Sequence, residues 1–171
     1  MSAYQSKKVL IIGDSNVGKT SILFRYVFNK FDEQNMPTLG AGFKTKEVFF
    51  TDEGQNQGRM KLNLWDTAGQ EKFDALTKMY FNGAEAALIV YDVTNTLSFE
   101  KAQKWVKDLD DNEASESILK FLVGNKSDML DQIEVSAQQG SEYAKQINAN
   151  FFEVSAKENT QISELFTEIA R

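Results

Sequence analysis

Eight residues, Gly13-Asp14-Ser15-Asn16-Val17-Gly18-Lys19-Thr20, constrain this chain more than any other stretch. They match G-x-x-x-x-G-K-[ST], with the apolar run Val9–Ile12 before them and a helix expected over Ser21–Phe28 behind them. Glycines let such a loop curl until several backbone N–H groups point inward. The following helix adds the positive end of its dipole. Together they make a cradle for phosphate oxygens, built here from Asp14, Ser15, Asn16, Val17 and Gly18. Lys19 brings a point charge for the β- and γ-phosphates of a nucleotide, and the Thr20 hydroxyl is placed to ligate Mg²⁺.

A chain of 171 residues fits one domain with a sizeable core. Short apolar runs alternate with amphipathic stretches, which predicts an α/β domain with a mainly parallel sheet. Val9–Ile12 is the first expected strand. Lys44–Thr51 and Arg59–Trp65 are expected to form a hairpin across the polar turn Asp52–Gly58, giving one antiparallel edge. Ala86–Tyr91, Ile118–Val123 and Phe151–Val154 complete the strands. Phe99, Ala102, Val106 and Leu109 recur at helical spacing, as do Ile162, Leu165, Phe166 and Ile169; their stripes read as core. Ser136 with Gln139 predicts a capping box, with Tyr143, Ala144 and Ile147 on the helix behind it.

Composition removes several function classes. The net charge is −6 with no basic run, which argues against a nucleic-acid surface and against polybasic membrane attachment. The chain has no cysteine and no histidine, so thiolate metal sites, disulfides and histidine-based triads are excluded. The opening residues do not form a signal peptide, and no run approaches a membrane span.

Two further phrases complete the chemistry. Asp66, at the end of an apolar strand and followed by Thr67-Ala68-Gly69-Gln70, offers the hard oxygen that Mg²⁺ takes opposite Thr20. Asn125-Lys126-Ser127-Asp128 follows the buried strand ending at Val123 and Gly124. Guanine presents N1–H and the N2 amine on one edge, and the Asp128 carboxylate can accept both. Adenine lacks that donor pair, so selectivity follows. The Lys126 stem can lie across the purine, and Asn125 would tie the pocket's loops together. Ser155-Ala156-Lys157 follows another strand end, where the Ala156 N–H can donate to guanine O6.

GDSNVGKT, WDTAGQE, GNKSD and VSAK, in that order, resemble a Ras-superfamily small GTPase over nearly the whole chain from Lys7. Trp65, YDVTNTLSFE at Tyr91–Glu100 and WVKDL at Trp105–Leu109 resemble the Rab family. TLGAGF at Thr38–Phe43, KMYF at Lys78–Phe81 and the WVKDL stretch are more similar to the early-endosomal branch than to the secretory one. The resemblance implies a single G domain over 1–171, with a six-stranded, mostly parallel sheet, one antiparallel edge strand and about five helices. It implies that Thr38 ligates Mg²⁺ and senses the γ-phosphate, that the Gly69 N–H meets that phosphate, and that Gln70 orients the attacking water. It puts Phe31 against the base and Phe43, Trp65 and Tyr80 on an effector-reading surface.

It also implies a GTP/GDP switch in vesicle traffic, acting as a monomer with effectors, an exchange factor, a GTPase-activating protein and a GDP-dissociation inhibitor. The cytoplasmic face of endosomal membranes would be its place of work. Relatives carry a tail ending in prenylated cysteines, whereas this chain stops at Arg171, as if trimmed to the globular domain. Asn35 stands where many relatives have a tyrosine that closes over the phosphates. Ser15 stands where glycine is frequent, a small residue that Rabs tolerate.

Hydrolysis would be an in-line attack of water, with Lys19, the loop N–H groups and Mg²⁺ neutralising charge and Gln70 with the Thr38 carbonyl holding the water. Arg25 should face away from the phosphates, leaving no arginine in cis. A supplied arginine is worth roughly 10³–10⁵ in rate, so slow turnover is expected without an activator. A non-hydrolysing nucleotide-dependent binding module is the alternative, disfavoured by Gln70, Thr38 and Lys19. An ATP-using enzyme such as a small kinase is disfavoured by Asp128 and Ala156. A heterotrimeric α subunit has no room for its helical insertion.

Overall fold

The computed structural model describes residues 5–34, 42–67, 79–112 and 117–171. Six strands form one sheet in the order β2-β3-β1-β4-β5-β6. They are β1 (Ser6–Gly13), β2 (Gly42–Thr51), β3 (Gln57–Asp66), β4 (Ala86–Asp92), β5 (Leu119–Asn125) and β6 (Asn150–Glu153). β2 runs antiparallel to β3 at one edge, and the remaining pairings are parallel. Among the described residues there are four α-helices, α1 (Lys19–Phe28), α2 (Thr96–Asp110), α3 (Ala137–Gln146) and α4 (Ile162–Ala170), and a 3₁₀ turn at Leu130–Gln132. None of these helices is long and apolar enough to cross a membrane.

Alternation along the strands divides the core in two. Val9 and Ile11 of β1, Leu88 and Val90 of β4 and Phe121 and Val123 of β5 pack with Ile22 and Tyr26 of α1 and Leu165 and Phe166 of α4. The intervening Leu10, Ile12, Ala87, Ile89 and Leu122 pack with Ala102, Trp105, Val106 and Leu109 of α2 and Ala144 of α3. β4 is buried at every position, as a strand covered on both faces must be. Tyr26 stacks on Phe166 with ring centroids 3.8 Å apart, which joins α1 to α4.

Helix ends follow local chemistry. Ser136 Oγ accepts from the Gln139 N–H and Gln139 Oε1 accepts from the Ser136 N–H, so the expected capping box forms. Asn95 caps α2 by accepting from the Ser98 N–H.

The hairpin turn is tighter than the sequence suggests. Pairing continues to Thr51↔Gln57, leaving only 52–56 between the strands. Asp52 Oδ1 accepts from the Asn56 N–H at 2.8 Å, and Gln55 takes a left-handed conformation at φ 61°. The turn is locked by its own side chains.

This topology positions the site. β1 lies between β3 and β4, so the chain leaves it first toward one edge and later toward the other. In such sheets ligands bind in the crevice outside the carboxyl ends of the strands. Asp14, Asp66, Asp92, Lys126 and Ser155 all lie at or just beyond those ends.

Candidate nucleotide site

The loop between β1 and α1 is shaped by close approach. Gly13 has φ 150°, and a Cβ there would sit 2.3 Å from the Val90 carbonyl oxygen. Gly18 has φ 95°, and a Cβ there would sit 2.2 Å from Asn125 Nδ2. Neither position admits a side chain. Val17 anchors the loop from beneath, buried among the core residues.

Lys19 is 6% exposed. Its Nζ donates to the Gly13 carbonyl at 3.1 Å and the Asp14 carbonyl at 2.6 Å, folded over its own loop. Burial lowers its pKa to about 8, against the opposing pull of Asp66 and Asp14. The Asp14 side chain turns the other way, to an ion pair with Lys101 of α2 at 3.1 Å, leaving its backbone to the loop.

Thr20 and Asp66 meet across the crevice as expected. The Thr20 hydroxyl donates to Asp66 Oδ2 at 2.5 Å. Among the described residues, Asp66 Oδ1 is buried with no hydrogen-bond partner. Burial pushes the Asp66 carboxyl up, opposed by the Thr20 bond and by Lys19. A hydroxyl beside a carboxylate with one oxygen unpaired is a hard-donor set that fits Mg²⁺, which takes few protein ligands. When bound, such an ion neutralises phosphate charge.

The residues expected to meet the base lie at the end of β5 and in the loop after β6. Asn125, at the end of β5, donates from Nδ2 to the Val17 carbonyl at 2.9 Å and accepts at Oδ1 from the Ala156 N–H at 3.2 Å. One side chain therefore ties the phosphate loop to both base loops. Lys126, at φ 66°, donates from Nζ to the Asn16 carbonyl at 2.8 Å and pairs with Asp92 at 2.7 Å. Both contacts are made by the one ammonium, which is fixed between Asn16 and Asp92. Ser155 Oγ donates to Asp128 Oδ1 at 2.7 Å, fixing the carboxylate's rotamer. Lys157 pairs with Glu33 at 2.7 Å, both exposed. Phe31 is partly buried against the core cluster that holds Ala156.

Phe43 and Trp65 face each other across the β2–β3 register with ring centroids 4.7 Å apart. Trp65 and Tyr80 follow at 5.4 Å. Trp65 and Tyr80 are partly buried against the second core cluster, while Phe43 is 46% exposed. The three form one aromatic strip on the face of the sheet that carries the second core cluster. Thr38, Gly69 and Gln70 lie outside the described residues, as does Asn35.

Two residues that build this site escaped the sequence reading. Asp92 ends β4 and receives Lys126; its signal is a carboxylate directly after a wholly apolar strand. Arg25, expected to face away from the phosphates, does so, and its guanidinium binds the loop after β6.

The Ras family model matches residues 8–171. The chain belongs to the Ras family. Rab proteins are among the relatives it resembles. RabC of Dictyostelium discoideum is 43% identical over 159 residues, 93% of this chain and 79% of the relative. Rab-17 of Homo sapiens is 45% identical over 164 residues, 96% of this chain and 74% of the relative. Rab-22A of Homo sapiens is 43% identical over 169 residues, 99% and 84% respectively. Ras-family proteins of this Rab type are GTPases that bind GTP and GDP with Mg²⁺, and GTP hydrolysis is the activity of this chain.

Proposed function

We propose that this Rab-type GTPase is a slow, activator-dependent switch that recruits effectors to the cytoplasmic face of endosomal membranes while GTP is bound. The observation that carries the reading is the link between the base and phosphate loops through Asn125 and Lys126, which makes one site of two half-sites. Asp128, held by Ser155, accepts the guanine N1–H and N2 amine, and the Ala156 N–H turns from Asn125 Oδ1 to donate to O6. The phosphate loop from Asp14 to Thr20 wraps the phosphates, with Lys19 turning from its own carbonyls to the β- and γ-oxygens. Thr20 and Asp66, with Thr38, would hold Mg²⁺.

Gln70 and the Thr38 carbonyl hold the water for in-line attack. Arg25 is occupied elsewhere and supplies no charge to the leaving phosphate. The aromatic strip of Phe43, Trp65 and Tyr80 is the surface effectors read, and it adjoins in sequence the two segments that the γ-phosphate orders through Thr38 and Gly69. Exchange factor, GTPase-activating protein, GDP-dissociation inhibitor and a prenylated tail complete the cycle.

Single-turnover GTP hydrolysis with Mg²⁺, in this chain and in Gln70→Leu, tests the reading. Slow phosphate release that falls further in the variant is the expected result, with GTP bound in preference to ATP. Tight GTP binding without hydrolysis in either protein would leave a binding module instead.

A further inference from the structure

Arg25 lies on α1, and its side chain reaches the loop that follows β6. Its Nε donates to the Ala156 carbonyl at 2.8 Å and its Nη2 to the Lys157 carbonyl at 2.9 Å. Nη1 donates to the Asn29 carbonyl at 3.2 Å and to Asn29 Oδ1 at 3.1 Å. Asn29 is the left-handed residue that closes α1, so one planar cation fastens the end of that helix to two consecutive carbonyls of the loop.

Ala156 is therefore held from both sides. Asn125 Oδ1 accepts its N–H, and Arg25 Nε donates to its carbonyl. The peptide on each side of a residue can rotate only if its hydrogen bonds break. With the carbonyls of 156 and 157 pinned to α1, the course of the loop through Ala156 is fixed before any base arrives. The same loop carries Ser155, which orients Asp128. Arg25 thus braces both groups that meet the guanine edge while touching neither.

We propose that Arg25 is a positioning residue that sets how long a guanine nucleotide stays bound, by fastening to α1 the loop that carries Ser155 and Ala156. The proposal rests on the guanine reading of the site given above. Its chemistry is pre-organisation: without the brace, the loop must be ordered anew each time the base binds.

Release of fluorescently labelled GDP, chased with excess GDP in Mg²⁺, is the test. Arg25→Ala should release about tenfold faster than the parent, the scale of losing charge-assisted bonds. Arg25→Lys, able to reach one carbonyl, should fall between them, and it carries the test if the alanine variant does not fold. Hydrolysis of GTP already bound should change far less than release. A 2-aminopurine nucleotide, which lacks both O6 and the N1–H, separates positioning of the base-edge groups from general loosening. It should leave the parent quickly, and Arg25→Ala should add little to its rate. Unchanged GDP release, or the same acceleration for both bases, would overturn the proposal. A parent chain that does not retain GDP in preference to ADP would instead overturn the guanine reading itself.

Discussion

Lys19 sits on a conflict between burial and charge. Its pKa is held at about 8, below the ordinary 10.5, chiefly because the ammonium is out of water. A group depressed in this way has its unfavourable contribution fully present below pH 8. Between pH 8 and about 10.5 the unfolded chain keeps a proton that the folded chain has lost, so folding stability rises with pH there. Replacing Lys19 by Met removes the penalty along with the phosphate ligand. Nucleotide-free Lys19→Met should resist urea at pH 7 better than the parent by about 1–3 kcal/mol. The difference between the two should shrink as pH climbs through that window, and a constant difference would contradict the assignment.

Asp128 poses the opposite case, a carboxylate kept for its two acceptors. Asp128→Asn turns one acceptor into a donor facing the guanine donors. Guanine affinity should fall by roughly 10²-fold, while xanthine, which carries a carbonyl in place of the N2 amine, should gain. Competition of the two nucleotides for the variant measures both.

At the level of elements, propensity and packing can be set against each other. Gly140 lies inside α3, where alanine would be favoured by about 1 kcal/mol on helix propensity alone. A Cβ there would stand 2.4 Å from the Tyr91 hydroxyl and 2.6 Å from the Phe151 ring. Overpacking of this kind costs roughly 1–3 kcal/mol. Gly140→Ala should therefore lower the urea midpoint despite its better propensity, and a stabilised variant would show that α3 moves freely.

The same elements show what a sequence can disclose. The strands β4 and β5, the capping box at Ser136 and the Thr20–Asp66 encounter were all legible, because periodicity, cap chemistry and the phosphate motif are local signals. The length of the hairpin was not. Pairing of Thr51 with Gln57 depends on Asp52 accepting from Asn56, a choice made between side chains and not by polarity. The ion pairs of Lys126 with Asp92 and Asp14 with Lys101, and the reach of Arg25, join residues distant in sequence, and no spacing rule encodes them.

On the scale of the whole molecule, the site is a seam. The phosphate loop belongs to β1 and α1, Asp66 to β3, Asn125 to β5, and Ala156 to the loop after β6. Side-chain bridges through Asn125 and Lys126 join these parts, and a bound nucleotide would add its own contacts to every one of them. A ligand that binds only the folded state adds about 2.7 kcal/mol at a hundredfold excess over its Kd. For a domain of this size that is a rise of about 5–10 °C in Tm. GDP with Mg²⁺ should give such a rise, and ADP should not.

Asp66 Oδ1, unpaired among the described residues, supplies the internal control. Chelating Mg²⁺ from the GDP-loaded parent should lower Tm, because a hard cation at that oxygen strengthens the hold on the phosphates. In Asp66→Ala the carboxylate is gone, and GDP alone should set the midpoint. Chelator should then have no further effect. An equal fall in both proteins would mean that the ion acts away from Asp66, and the metal side of the site would have to be sought on other oxygens.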